Sequence, residues 1–237
     1  MRLICFPYAG GGAAVYRDLQ TLLPEVEVRN HELPGRGRRL AEPCTRDVNR
    51  LIDALLEELD DSFDRPFALL GHSMGAAIAF ELALRLAAPA QSNLRHLFVS
   101  ARCAPGRPRS RQRLQDLDDR AFIEALRALG GTPLEVLEND ELMALLMPVL
   151  RADFTLIENY LPAPGRMLGV DLTAFAGRSD ESVSVQSVAD WRDTTTGDFE
   201  LHVIEGDHFF LRSGMPAMAR IVGARLRREG RVALSAS

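Results

Sequence analysis

Three residues far apart in the chain, Ser73, Asp180 and His208, have the types and the order that nucleophilic acyl transfer requires. A serine hydroxyl is a weak nucleophile until an imidazole accepts its proton. The imidazole does this well only when a carboxylate holds its tautomer and steadies the charge it gains. Ser73 stands in Gly71-His72-Ser73-Met74-Gly75, between the apolar run Phe67-Ala68-Leu69-Leu70 and a second run with helical spacing that reaches Leu86. The pattern is short enough to arise by chance, so its context decides, and that context reads as strand, sharp turn, helix. Glycines on both sides of such a turn let strand and helix approach closely while the serine Oγ projects outward. The turn also sets the N–H of Met74 at a helix N-terminus, where an unpaired donor can meet a developing oxyanion.

Asp180 follows the strand-like Val170 to Ala176 and the turn Gly177-Arg178-Ser179, and His208 follows the strand-like Phe199 to Ile204. Both therefore lie just past strand ends, the edge of an α/β sheet where functional loops gather. The rivals fit less well. His72 is fixed in the turn and reads as structural, and His31, His96 and His202 fall in or beside strands. Asp207, Asp193 and Asp198 are near His208 in sequence, but none follows a strand end as Asp180 does.

An oxyanion needs a second donor, and the loop Pro7-Tyr8-Ala9-Gly10-Gly11-Gly12-Ala13 after the first strand, Arg2 to Phe6, can supply one. A phosphate-binding loop would end in Lys with Ser or Thr, or show Gly-x-Gly-x-x-Gly spacing with a later acidic residue, and this loop has neither. Small residues that permit close backbone approach suit a donor loop, with Ala9 as the candidate N–H.

The elements that must hold these residues follow from periodicity. Val26 to Arg29 alternates as the second strand, Thr45 to Leu59 is a one-faced helix, and Leu94 to Ser100 is the strand after the serine helix. From about 108 to 161 the pattern changes to successive helices: one through Phe122, Ile123, Leu126 and Leu129, one from about Asn139, and, after Pro148, a third from Leu150 to Tyr160. Such an insertion predicts a lid over the serine, with Met143, Met147 and Phe154 as candidates for the wall of an acyl pocket. A final helix is expected from about Met215 to Arg227. The fold class expected is α/β, the α/β-hydrolase fold: a mostly parallel central sheet with helices on both faces and a helical lid, as a single domain over 1–237.

Composition narrows the class of function. The net charge is −5, and all 28 cationic side chains are Arg, so nothing suggests a nucleic-acid-binding face. Two Arg clusters, Arg36-Gly37-Arg38-Arg39 and Arg107-Pro108-Arg109-Ser110-Arg111, read as solvated loops that could meet an acidic partner or a phosphate. Cys5, Cys44 and Cys103 lack metal-ligand spacing and cannot all pair. The chain opens directly on a strand, and no apolar run is long enough to span a membrane. A cytoplasmic monomer is expected.

Six stretches together resemble the type II thioesterases, the stand-alone editing enzymes of polyketide and non-ribosomal peptide biosynthesis. They are Cys5-Phe6-Pro7-Tyr8-Ala9-Gly10-Gly11, Leu33-Pro34-Gly35-Arg36, Gly71-His72-Ser73-Met74-Gly75, Leu129-Gly130-Gly131-Thr132-Pro133, Leu150-Arg151-Ala152-Asp153-Phe154 and Gly206-Asp207-His208-Phe209-Phe210-Leu211. They span nearly the whole chain, and the two within the insertion are more specific than the serine turn. The resemblance implies hydrolysis of acyl or aminoacyl thioesters on the phosphopantetheine arm of acyl or peptidyl carrier proteins, without metal or organic cofactor. The alternative is an acyl-CoA thioesterase or small-ester carboxylesterase, which would share the same three residues.

Overall fold

Strands whose residues are buried on both faces, alternating with one-faced helices, can pack only as a helix-covered parallel sheet. A computed structural model describes residues 1–106, 113–163 and 165–235. Its six strands are β1 (Arg2–Phe6), β2 (Glu27–Asn30), β3 (Phe67–His72), β4 (Leu94–Ser100), β5 (Asp171–Gly177) and β6 (Phe199–Ile204). They form one sheet in the order β2-β1-β3-β4-β5-β6, with every neighbouring pair parallel. The register pairs Phe6 with Gly71, His72 with Ser100, Ser100 with Phe175 and Gly177 with Ile204. Five strands thus end along one edge, and the loops leaving that edge must meet.

The helices are α1 (Leu19–Leu22), α2 (Val48–Glu58), α3 (Met74–Arg85), α4 (Ala88–Gln91), α5 (Asp119–Leu129), α6 (Leu134–Leu137), α7 (Asp140–Asn159), α8 (Val185–Ala189) and α9 (Leu211–Ser235). Side chains alternate across the pleat, so Ile4, Phe6, Leu69 and Val99 pack with α2 and α3, while Leu3, Cys5, Leu70 and Phe98 pack with α1 and α9. Asp47 starts α2 by accepting the N–H groups of Asn49 and Arg50, and Leu51, Ile52 and Leu55 form its buried face. No helix among the described residues is long and apolar enough to cross a membrane.

Between β4 and β5, α5 to α7 build a small core of their own from Phe122, Leu126, Leu137, Met143 and Leu150. Two elements differ from expectation. No break occurs at Pro148, and α7 runs unbroken from Asp140 to Asn159. The proline ring removes one helical hydrogen bond, to the carbonyl of Ala144, but burial of Val149, Leu150, Leu156 and Ile157 holds the axis. Likewise α9 begins at Leu211 and continues past Pro216, because Leu211, Met215, Met218, Val222 and Leu226 make one continuous buried stripe. The cluster Arg107 to Arg111 lies outside the described residues.

Candidate active site

Ser73 links β3 to α3 with φ 53° and ψ −110°, one of two non-glycine residues with positive φ among the described residues. A serine adopts this strained backbone only where the surroundings enforce it. Here the enforcement is closeness: a Cβ on Gly71 would lie 2.0 Å from the carbonyl oxygen of Gly75, and one on Gly75 would lie 2.0 Å from that of Phe6. The Ser73 N–H is held by the carbonyl of Ser100 at 2.8 Å.

The loops after β5 and β6 bring the other two residues to it. His208 Nε2 lies 3.0 Å from Ser73 Oγ, and His208 Nδ1 lies 2.7 Å from Asp180 Oδ2. With Asp180 ionised, Nδ1 is the donor, which leaves the Nε2 lone pair facing the serine hydroxyl. The other oxygen, Asp180 Oδ1, accepts the N–H groups of Ser182 at 2.7 Å and Val183 at 3.0 Å. Burial alone would push the Asp180 carboxyl up. The His208 hydrogen bond and charge, with the two amides, outweigh it and hold the group below the usual carboxylate range.

His72 does more than fill the turn. Its Nε2 is 2.8 Å from the carbonyl oxygen of His208, and its Nδ1 is 2.8 Å from Ser100 Oγ. A carbonyl only accepts, so Nε2 carries the proton and Nδ1 accepts from the Ser100 hydroxyl. Burial, with the neighbouring His208, holds His72 at about 3, so this neutral arrangement persists at working pH. Sequence reasoning placed His72 as structural but could not see that its partner is the backbone of His208. The signal that could have raised it was its polarity at the end of a wholly buried strand.

Ser73, Met74, Ala9 and His208 line a cavity of about 720 Å³ whose walls include Leu129, Phe154, Ile157 and Val183. Met74 is the first residue of α3, so its N–H has no helical partner four residues upstream. In the glycine loop, the N–H of Gly11 goes to the Tyr8 carbonyl (2.9 Å) and that of Gly10 to Asp153 Oδ2 (2.7 Å), which singles out Ala9 as the amide to consider. Phe154 lines this cavity. Met143 and Met147 are not among the residues lining this cavity; they pack with the core of α5 to α7, because their positions on α7 face that core.

Three further placements were not read from the sequence. Arg36 is not a solvated loop residue: it is buried in an ion pair with Asp153. Arg39, in the same cluster, pairs with Glu42 and Glu58. The Gly-Gly-Thr-Pro segment seats Phe209, the neighbour of His208. A Cβ on Gly131 would lie 2.4 Å from the Phe209 ring, and Arg212 donates to the carbonyls of Gly130 and Gly131 at 2.9 Å each.

Among the described residues, His96, Asp171 and Glu229 bring possible metal-ligand atoms within 4.8 Å of one another. They sit near the starts of β4 and β5, at the opposite end of the sheet from Ser73, and the charges of Arg95 and Arg225 beside Glu229 oppose a bound cation.

Residues 1–226 match the family model described as Thioesterase domain. The chain is 41% identical over 228 residues to linear gramicidin dehydrogenase LgrE of Brevibacillus parabrevis, covering 94% of this chain and 87% of that one. It is 40% identical over 228 residues to gramicidin S biosynthesis protein GrsT of Aneurinibacillus migulanus, covering 96% and 89%. The dehydrogenase in the first name belongs to that protein, and the glycine loop here lacks a dinucleotide-binding spacing. Among solved structures, the type II thioesterase BorB from the borrelidin biosynthetic cluster superposes with a TM-score of 0.85 at 36% identity, covering 95% of this chain and 92% of BorB. Sequence and shape agree with the geometry of the serine turn: the chain belongs to the thioesterase domain family, hydrolases of thioester bonds built on the α/β-hydrolase fold.

Proposed function

We propose that this thioesterase is an editing enzyme that removes aberrant acyl or aminoacyl groups from the phosphopantetheine arm of carrier proteins in a polyketide or non-ribosomal peptide assembly line. The observation that carries the chemistry is the line Asp180–His208–Ser73, joined at 2.7 and 3.0 Å beneath a cavity of about 720 Å³. Ser73 Oγ attacks the thioester carbonyl while His208 Nε2 takes its proton. The C–S bond breaks, and the proton passes from His208 to the leaving thiolate. Water then cleaves the acyl-serine, with His208 again the base. Asp180 keeps Nδ1 as the donor throughout. The N–H groups of Met74 and Ala9 receive the oxyanion in both halves. A thiolate leaves readily, so the reaction uses no metal or organic cofactor.

The assembly-line setting is supported by what the relatives' names record, gramicidin S biosynthesis and the borrelidin cluster. A carrier domain with an acidic surface is the partner proposed. Arg102 and Arg113, which line the cavity beside Glu158 and Glu181, are the cations proposed to meet its phosphate or surface. The enzyme is taken as a cytoplasmic monomer.

The test is acyl release from a panel of acyl-phosphopantetheinyl carrier proteins beside the matching acyl-CoAs and simple esters, with Ser73→Ala as the blank. Faster turnover of carrier-bound groups, abolished in Ser73→Ala, supports the proposal. Preference for acyl-CoA or simple esters by a wide margin removes the carrier partner and leaves the hydrolase.

A further inference from the structure

One buried ion pair ties the helical insertion to the glycine loop. Arg36, from the loop after β2, donates through Nη1 to Asp153 Oδ2 at 2.7 Å and through Nη2 to Oδ1 at 2.8 Å. The two side chains are 8% and 4% exposed. Asp153 belongs to α7, yet its Oδ2 also accepts the N–H of Gly10 at 2.7 Å, while Arg36 Nη1 donates to the carbonyl of Gly11 at 3.0 Å. A carboxylate and a guanidinium therefore grip successive residues of the loop from opposite polarities. Leu150, one turn earlier on α7, closes the same contact: Gly10 has φ +78°, and any Cβ there would lie 2.5 Å from Leu150 Cδ2. Beyond the glycines, Glu32 Oε1 accepts the N–H of Ala13 at 3.0 Å.

Burying an ion pair is a poor route to stability, because lost hydration offsets most of the attraction. What this pair secures is orientation. The Ala9 N–H lies in the Tyr8–Ala9 peptide plane, whose carbonyl accepts the Gly11 N–H at 2.9 Å; the Asp153 bond to Gly10 N–H and the Arg36 bond to the Gly11 carbonyl hold the two residues that close this turn. We infer that Asp153 and Arg36 are positioning residues for the oxyanion loop, so that α7 of the insertion aims the Ala9 N–H at the tetrahedral intermediate. The inference rests on the reading above, in which Ala9 and Met74 stabilise the oxyanion. Neither Asp153 nor Arg36 lines the cavity that holds Ser73, so they act through the loop and not on substrate. Oxyanion donors work only within hydrogen-bond distance of the developing charge, and a shift of about 1 Å lowers rate on the order of 100-fold.

The test uses Asp153→Asn, Arg36→Lys and the double variant Arg36→Met/Asp153→Leu in the full chain. Kinetics are measured on an N-acetylcysteamine acyl thioester, and active sites are counted by fluorophosphonate labelling of Ser73. The discriminating readout is the Ki of a trifluoromethyl ketone analogue, whose hemiketal oxyanion needs the same donors. Per titrated site, Asp153→Asn is expected to lower kcat about 10- to 100-fold at nearly constant KM and to raise Ki by a similar factor. Asp153→Asn sets an amide NH2 against the Arg36 guanidinium and so disturbs the clamp, whereas the double variant removes both buried charges and regains melting temperature, yet keeps the defect because leucine offers the Gly10 N–H no acceptor. An unchanged Ki in Asp153→Asn, or a double variant that regains activity together with its melting temperature, overturns the inference. A wild-type chain that the ketone does not inhibit, or a Ser73→Ala variant that still turns over, overturns the underlying reading instead.

Discussion

Acid should unfold this protein earlier than its carboxylates alone would dictate, because two histidines are sealed in the sheet without charge. His72 is 0% and His96 1% exposed. Burial, aided by His208 for the first and Arg225 for the second, lowers both from 6.5 to about 3. In the unfolded chain each takes up a proton as pH falls through 6.5; in the folded chain neither does until about 3. The unfolded state binds more protons across that window, so stability is complete above 6.5 and declines steadily toward 3. Each histidine contributes a slope of about 1.4 kcal/mol per pH unit, hence about 5 kcal/mol over the window and roughly twice that for both. That total rivals the whole stability of an ordinary domain, so unfolding should set in well before pH 3 is reached. Asp180, held below its usual range, adds loss of the same sign at the acid end. The assay is urea unfolding followed by the fluorescence of the single tryptophan, Trp191, at intervals from pH 7.5 to 5. His96→Gln keeps a nitrogen for Thr173, which His96 Nε2 meets at 2.8 Å, but cannot titrate. It should reduce the slope by about 1.4 kcal/mol per pH unit at most, the remainder coming from His72 and from His31 and His202, which burial also lowers, without altering acyl release, since His96 lies at the far end of the sheet. A flat wild-type profile, or a His96→Gln profile as steep as wild type, would refute the argument that burial keeps these rings neutral.

Three further outcomes follow from the site. Asp180→Asn should reduce kcat on a carrier-bound acyl group about 10⁴-fold with KM little changed, because the amide favours the wrong imidazole tautomer; a loss confined to KM would contradict that role. His72→Gln retains a donor for the His208 carbonyl and should stay within about tenfold of wild type, whereas His72→Leu leaves that carbonyl and the Ser100 hydroxyl unpartnered and should fall about 100-fold. Equal kcat values for the two would remove His72 from the positioning of His208. Gly131→Ala drives a methyl group to 2.4 Å from the Phe209 ring, so stability should fall by about 1–3 kcal/mol, lowering the melting temperature, and kcat should drop with it. A variant matching wild type in both measurements would show that Phe209 can move without disturbing His208.

Several features were legible because each is written locally. β1, β4 and β6 appear at the residues expected, since short apolar runs between turn residues leave little choice of boundary. Ser73, Asp180 and His208 could be named because each follows a strand end, and the parallel register then brings strand ends to one edge. The misjudged positions share a different property. Pro148 predicts a break, yet the buried face of α7 outweighs one missing hydrogen bond. Met143 and Met147 have the softness of a pocket wall, but which face of α7 meets the cavity is settled by its packing on α5 and α6. Arg36 reads as one of a run of solvated cations until its partner, 117 residues away, is seen.

By itself, then, the amino-acid order determined the strand–turn–helix at Ser73, the alternation that demands a parallel sheet, and the order of the three hydrogen-bonded residues, because these depend on neighbours within a few positions. Tertiary structure alone decided which imidazole supports which, where Arg36 finds its carboxylate, and how α7 reaches the glycine loop. Those contacts join segments with no local relation, and charge burial and backbone direction, which select them, exist only once the chain has closed around them.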